Sequence, residues 1–274
     1  MSACDSTGVL LRSWNLFHGN AVPPERRAFL PDMVRLAAEG EPDVVCLQEV
    51  PLWALPHLAG WSGMQAVGAV AAPARLGPLP GHPLLGRALT AIHHGAIRSA
   101  FTGQANAILL APHLRLLGEE RIVLNPRRFR DAQARSLGLG AVARLAWARE
   151  RRVCHAVRLA APGLGRLVVA NLHATSFPAD TRLAEAEVLR AGAFLDALPE
   201  PGEAAVLAGD FNVSAEAPVF AELGTWGLAG GGNVIDHILV RGVEASPVET
   251  WPEERRRRGG RLLSDHAPVE VRLG

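Results

Sequence analysis

The sequence predicts an α/β fold, a two-sheet sandwich flanked by outer helices. Three observations lead there. Eight short apolar runs, each bounded by turn or polar residues, are spaced along the chain as strands are. Two stretches carry apolar residues at helical spacing. Several strand signals follow one another with no helix between them, which fits an alternating βαβ wheel poorly and two stacked sheets well.

In chain order, the strand signals are Val9–Trp14, Asp43–Gln48, Ala105–Leu110, Arg152–Leu159, Leu167–Leu172, Ala204–Ala208, Val234–Val240 and Ala267–Arg272. A first helix is expected over Glu25–Glu39, where Phe29, Met33, Leu36 and Ala37 form one stripe. A second is expected over Asp180–Leu198, with Leu183, Ala186, Glu187, Arg190 and Phe194 at helical spacing and Asp180 as N-cap. The segment Val67–Gly103 is rich in Ala, Pro, Gly and Leu and reads as an insertion, with a helix near Leu85–Ser99. A packed loop excursion is favoured there over a lid. Residues 1–8 read as a short tail and 9–274 as one domain containing that insertion at about 67–103. Neither an internal repeat nor a low-complexity tract is present.

Composition removes several classes of function. The chain has 274 residues, 49% of them hydrophobic, enough for a sizeable core. Its formal net charge of +1 provides no global attraction to nucleic acid or anionic membranes. All 28 basic residues are arginine, which rules out a P-loop lysine and a Schiff base. The chain also has no tyrosine. Its three cysteines, Cys4, Cys46 and Cys154, are widely spaced and form neither a disulfide framework nor a thiolate zinc site. No secretory leader and no long apolar span are legible. A soluble, cytoplasmic protein without a membrane anchor, monomeric by default, is the expectation.

Six strand-end clusters carry the chemistry. The sharpest is Gly209-Asp210-Phe211-Asn212, after the run Ala204–Ala208. Alternation along a strand places Asp210 and Asn212 on one face, a carboxylate for a metal or water beside an amide for a phosphate oxygen. An Asx turn closing the strand is the alternative. Gln48-Glu49 ends a buried run, where a carboxylate is costly unless exposed or bound to a cation; an ordinary helix-start acid is the alternative. Trp14-Asn15, Asn171-Leu172-His173, Asp236-His237 and Ser264-Asp265-His266 complete the set. Singly, each histidine is more often structural. Polar residues from several strand ends meeting in one cleft are the usual makings of an active site. Neighbouring strand residues point oppositely, so His237 is expected to be structural. His18 is expected in a turn, and His93 and His94 have no carboxylate at ligand spacing.

The order of these motifs resembles the endonuclease/exonuclease/phosphatase superfamily, from about Val9 to Leu273. Gln104-Ala105-Asn106-Ala107-Ile108-Leu109 is similar to a further strand of that family, with Gln-Ala where a single Gly is usual. The resemblance implies a four-layer α/β sandwich of two mostly antiparallel or mixed sheets packed face to face. It implies a hydrolase that attacks a phosphoester with activated water, most often a phosphodiester as in nucleases, with Mg²⁺ or Mn²⁺. Glu49 is then the principal metal ligand, joined by Asp265 and Asn15. Asp210 orients or deprotonates the water, and Asn171 and Asn212 hold phosphoryl oxygens. His266 stabilises charge or transfers a proton, with Asp236 fixing its tautomer, and His173 is a second donor or general acid. The choice of general base stays open.

For the substrate, two arginine clusters matter: Arg127-Arg128-Phe129-Arg130, before an expected helix, and Arg255–Arg258, before Ser264. The second is expected either to clamp phosphates of a nucleic acid or charged head group, or to be a solvated loop balanced by Glu253 and Glu254. A lipid or small-molecule phosphoesterase is the alternative activity, and a silent binding scaffold the alternative class. The second is opposed by the intact Glu49, Asp210, Asn212, Asp236, Asp265 and His266. A zinc hydrolase lacks its HExxH or three-histidine signature.

Overall fold

A computed structural model describes residues 8–76, 79–97 and 101–274. Most of the expected tail, Cys4 and the end of the helix expected near Leu85–Ser99 lie outside the described residues.

Two six-stranded sheets stack face to face. The strands are β1 Val9–Asn15, β2 Val44–Val50, β3 Gln65–Ala72, β4 Gln104–Leu110, β5 Arg115–Val123 and β6 Val153–Ala161. They continue with β7 Gly165–His173, β8 Ala204–Asp210, β9 Ala229–Gly232, β10 Asp236–Arg241, β11 Glu249–Thr250 and β12 Val269–Leu273. The first sheet runs β11-β12-β1-β2-β4-β3 and the second β9-β10-β8-β7-β6-β5. Each contains one parallel pair, β1 with β2 and β7 with β8, and is otherwise antiparallel. This is the expected sandwich of two mixed sheets.

A parallel pair needs a crossover, which a helix usually supplies. Helix α1, Leu30–Ala38, lies between β1 and β2 in the chain. It is shorter than the expected Glu25–Glu39 because Pro31 is tolerated only in a first turn, which sets the start. Helices α2 Pro83–Thr90, α3 Arg127–Ser136 and α4 Ala141–Arg149 follow, and α5 Arg182–Asp196 makes the second crossover. The N-cap of α5 is Thr181; Asp180 accepts from the Arg182 backbone and guanidinium instead. The Arg127 cluster forms the first turns of α3 rather than preceding it. A last helix, α6, spans Val219–Thr225.

Side-chain alternation divides the strands between two cores. On β8, Ala204, Val206 and Ala208 face the other sheet, while Ala205 and Leu207 pack beneath α5 and α6. On β7, Leu167 and Val169 face inward and Val168, Ala170 and Leu172 outward. Asp210, Asn171 and His173 share the inward parity, so the fold aims them between the sheets.

The expected insertion begins later than residue 67. Residues 65–72 form the edge strand β3, hydrogen-bonded along β4, so the excursion proper starts at Pro73. Its expected long helix is broken into α2 and a single turn, His94–Ile97. The run expected from Val234 starts at Asp236, because Asn233 closes a turn by accepting from the Ile235 and Asp236 backbones. Cys46 and Cys154 are buried free thiols. No helix of the described residues is long and apolar enough to cross a membrane.

Glu187 interrupts the apolar stripe of α5 and is fully buried. It accepts from Trp147 Nε1 at 2.6 Å, Thr175 N at 2.6 Å and Thr175 Oγ1 at 2.8 Å. Burial raises its pKa, and those hydrogen bonds oppose the rise. Glu187→Ala orphans these donors and is expected to destabilise the protein by about 3 kcal/mol, measured by urea unfolding. A change below about 1 kcal/mol would show that the carboxylate is not a tie between α4 and the segment that follows β7.

Candidate active site

The parallel pairs explain why the polar residues meet. In β1 and β2, Asn15 is registered with Gln48, and Glu49 follows. In β7 and β8, His173 is registered with Asp210. Antiparallel β10 begins at Asp236, registered with Asp210, and β4 begins at Gln104, close to Glu49. The two sheets superpose these ends: Asn15 Nδ2 of the first sheet donates to Asp210 Oδ2 of the second at 2.9 Å.

The local backbone is specialised there. Among the described residues, six non-glycine residues have φ between 49° and 62°: Phe17, His18, Glu41, Glu49, Asn212 and Ser264. All but Glu41 lie at this end of the sandwich. Such conformations persist where the surroundings over-determine them, often at functional sites. Gly209 has φ of 140°, and a Cβ there would meet Leu172 O at 2.0 Å. The close approach of β7 and β8 therefore requires glycine before Asp210.

Asp210 is buried and accepts two hydrogen bonds, from Asn15 Nδ2 at Oδ2 and from the Asn212 backbone at Oδ1, 3.0 Å away. Burial, then the nearby charge of Asp236, raises its pKa to about 7, against the opposing pull of His266 and the Asn15 hydrogen bond. His266 Nδ1 donates to Asp236 Oδ2 at 2.9 Å, and its Nε2 stands 3.9 Å from Asp210 Oδ2. Burial disfavours the imidazolium, but the Asp236 bond and the charges of Asp236, Asp210 and Asp265 raise its pKa to about 10. Ligand atoms of Asp210, Asp236 and His266 lie within 4.8 Å of one another, near enough for a cation. Within the trio only Asp236 and His266 are hydrogen-bonded, while Asp210 takes its hydrogen bonds from Asn15 and Asn212 and faces His266 Nε2 across 3.9 Å.

His173 stands opposite. Gln104 Nε2 lies 2.8 Å from its Nδ1 and Arg152 Nη1 3.0 Å from both ring nitrogens; with Gln104 as donor to Nδ1, the neutral ring carries its proton on Nε2, which faces Asp210 Oδ2 at 3.5 Å and Glu49 Oε1 at 3.8 Å. Burial, then the charges of Arg152, His266 and His18, holds its pKa well below 6.5. Of the two roles expected from the resemblance, a neutral imidazole suits the second hydrogen-bond donor better than the general acid.

Glu49 lies within a register shift between β2 and β4, and its carboxylate is 19% exposed. His18 Nε2 lies 3.1 Å from Glu49 Oε2, so this turn histidine also lines the cleft. Asp265 is 44% exposed, with Oδ1 4.0 Å from His266 Nε2. Asn15 Oδ1 accepts from the Phe17 backbone at 2.9 Å. Glu49, Asp265 and Asn15 are an all-oxygen donor set, which fits a hard divalent cation that keeps several waters.

One expected phosphate ligand is corrected. Asn171 is fully buried, and its amide donates to Leu47 O at 3.0 Å and Ala107 O at 2.9 Å, while its Oδ1 accepts from Gln48 Nε2 at 2.8 Å. Both amide hydrogens are spent tying the sheets together, so none remains for a phosphate. Asn212 is half-buried and donates one amide hydrogen to Ala174 O at 3.0 Å. His237 points to the far side as expected, where Nε2 lies 3.0 Å from Val213 O and the ring packs on Phe211 and Phe220.

Of the two readings of the Arg255–Arg258 run, the charge-balanced loop is the nearer one. Arg255 lies over the Trp251 ring, Arg257 pairs with Glu253 at 2.8 Å, and Arg258 with Glu39 at 3.5 Å. Arg256 is buried and donates from Nη1 to Leu263 O at 3.1 Å, Ser264 O at 3.3 Å and His266 O at 2.9 Å. Trp14 Nε1 also donates to His266 O at 2.9 Å. Arg256 thus holds the loop that carries Asp265 and His266, a role that needs the fold to be seen. Arg256→Met keeps the apolar stem and removes the donors. Its expected effect is a fall in kcat of up to roughly 10²-fold with KM little changed. A loss of stability with kcat intact would leave Arg256 a structural residue only.

The comparisons with known proteins agree with this fold. The family model described as Endonuclease/Exonuclease/phosphatase family matches residues 13–266. Similar solved structures include an endonuclease/exonuclease/phosphatase from Beutenbergia cavernae, with TM-score 0.67 and 17% identity over 97% of this chain and 71% of that one. The human nocturnin catalytic domain with bound sulfate has TM-score 0.66 and 15% identity over 98% and 94%. A mannosyl-6-phosphatase from Bacteroides thetaiotaomicron has TM-score 0.64 and 16% identity over 97% and 99%. No curated protein matches the sequence significantly. Given the extent of the family match, the chain belongs to the endonuclease/exonuclease/phosphatase family, whose members are phosphoester hydrolases.

Proposed function

We propose that the protein hydrolyses a small phosphoester by attack of water on phosphorus, in the space bounded by Asp210, Glu49, His173 and His266. The observation that carries this reading is the Asp236–His266 pair aimed at Asp210, with the carboxylate of Glu49 on the other side of His173. Mg²⁺ or Mn²⁺, held by Glu49 with Asp265 and Asn15, supplies a Lewis acid to the phosphoryl group when bound.

The protein's own groups do the rest. Asp210 accepts from the attacking water and aligns it. His266 directs Nε2–H at the charge that develops on the phosphoryl oxygens, while Asp236 fixes its ring and tautomer. His173 adds a neutral Nε2–H donor. The second amide hydrogen of Asn212 is directed at the same phosphate, its first being anchored on Ala174 O.

A nuclease is the alternative substrate reading. It is weakened by the charge balance of the Arg255–Arg258 run, in which Arg257 and Arg258 pair with Glu253 and Glu39 and Arg256 is spent on loop carbonyls. A panel of supercoiled DNA, RNA, sphingomyelin, inositol phosphates and bis-p-nitrophenyl phosphate, each with Mg²⁺ or Mn²⁺, tests both. Metal-dependent turnover of small esters, with little cutting of plasmid, is expected. Plasmid cleavage that falls steeply with salt would favour the nuclease. No turnover of any member, with no metal bound by titration, would favour a silent binding scaffold.

A further inference from the structure

A cavity of about 340 Å³ opens directly beside Glu49. Its wall is unusual for a chain of near-neutral net charge: Arg75, Arg149 and Arg152 line it together with Glu49, Gln104 and Glu150. Arg75 comes from the start of the excursion after β3, Arg149 from the end of α4, and Arg152 from the segment entering β6. Three separate parts of the chain thus converge on one space. Lysine is absent from this protein, so an arginine alone carries little information; three at one pocket carry more.

The three are not equivalent. Arg152 is 4% exposed. One of its terminal nitrogens bonds Glu150, the other lies 3.0 Å from both ring nitrogens of His173, and its Nε has no hydrogen-bond partner. Glu150 and Arg152 therefore match each other in charge. Arg75 and Arg149 are exposed, and neither guanidinium has a hydrogen-bond or ion-pair partner among the described residues. The pocket thus presents two unpaired guanidiniums, Arg75 and Arg149, against the single carboxylate of Glu49, next to the place where the scissile phosphate is proposed to sit. Guanidinium groups bind phosphate oxygens in fixed, often bidentate geometry. The volume is that of a small-molecule subsite, at the lower end of roughly 300–1,000 Å³.

We propose that the substrate carries a second phosphate, seated against Arg75 and Arg149 while the scissile ester lies at Asp210 and His266. This rests on the phosphoesterase reading above. It narrows the substrate class to bisphosphorylated small molecules. Gln104 and Arg152 form the partition between the two subsites, since both touch His173.

The test uses a homologous series of alkanediol bisphosphates and the matching monophosphates. Each is titrated calorimetrically into the full-length protein with EDTA present, and assayed as substrate with Mg²⁺. At the chain length that spans both subsites, the bisphosphate is expected to bind on the order of tenfold more tightly than its monophosphate. Arg75→Ala with Arg149→Ala is expected to collapse that ratio towards one, and Arg149→Lys to retain part of it. Equal affinities at every chain length, or a ratio that survives the double substitution, would overturn the proposal. Hydrolysis of esters without the affinity ratio defeats the second-phosphate subsite alone. The ratio without hydrolysis of any ester defeats the phosphoesterase reading and leaves an anion-binding pocket.

Discussion

Replacing Asp210 with asparagine is expected to lower kcat by roughly 10²–10⁴-fold, the range for loss of a positioned acid–base group. The side chain stays the same size and its backbone is fixed by the β7–β8 ladder and by Gly209, so the site should remain assembled. The carboxylate is the acceptor to which water, Asn15 and Asn212 all refer, and an amide cannot accept a proton there. Stability gives an independent readout. Burial, with Asp236 nearby, lifts the Asp210 pKa from 3.8 to about 7 in the folded state. A raised pKa contributes stability that is complete below the unfolded value and lost as pH rises through the folded one. The wild type thus loses this contribution between pH 3.8 and about 7. Asparagine does not titrate, so the stability of the variant relative to the wild type should rise across that window. Urea unfolding in EDTA at several pH values measures it. A relative stability independent of pH would show that Asp210 does not titrate in the buried site.

His266→Ala is expected to reduce kcat by roughly 10²–10³-fold, the usual effect of removing one preorganised donor to a developing oxyanion. The main chain of His266 is held independently of its ring, by Trp14 and Arg256 at its carbonyl, so the loop should keep its place. The ring depends on Asp236, whose carboxylate receives Nδ1–H. Asp236→Ala should therefore lose most of the same factor. The double variant should lose little more than either single one, because the two residues act as a unit. Losses that multiply would separate them. The pH dependence runs opposite to that of an ordinary salt-bridged acid. The His266 pKa is raised from 6.5 to about 10, so its contribution is complete below 6.5 and is lost as pH rises to about 10. His266→Ala should flatten that alkaline decline.

The elements easiest to read in the sequence are those buried on both faces. Strands β2, β7 and β8 are near-continuous apolar runs, and each ends where a polar residue reaches the site. Strand β5 gave no such signal. It lies at a sheet edge, and Gly118-Glu119-Glu120-Arg121 are all exposed. Helix α4 was equally silent, with Val142 and Leu145 facing outward.

The same distinction holds for the site. Asp210, Glu49, Asp236 and His266 are legible because an ionisable residue at or beside the end of an apolar strand needs a reason. Asn171 has the same sequence signature, yet it is spent two residues deeper, bridging the sheets. Strand parity places it on the inward face but does not say how far from the rim it lies. The roles of Arg152, Arg75, Arg149 and Arg256 are hidden in the sequence for a different reason. In a chain whose cations are all arginine, their roles are set by which carbonyl or cavity they reach, and that is decided by the packing of distant segments.

The most direct test of the account is hydrolysis of bis-p-nitrophenyl phosphate in ¹⁸O-labelled water with Mg²⁺, run on the wild type and on Asp210→Asn. One labelled oxygen is expected in the p-nitrophenyl phosphate formed by the wild type, none in the p-nitrophenol, and almost no product from the variant. Label in the p-nitrophenol, or wild-type turnover by Asp210→Asn, would contradict water attack on phosphorus at this centre.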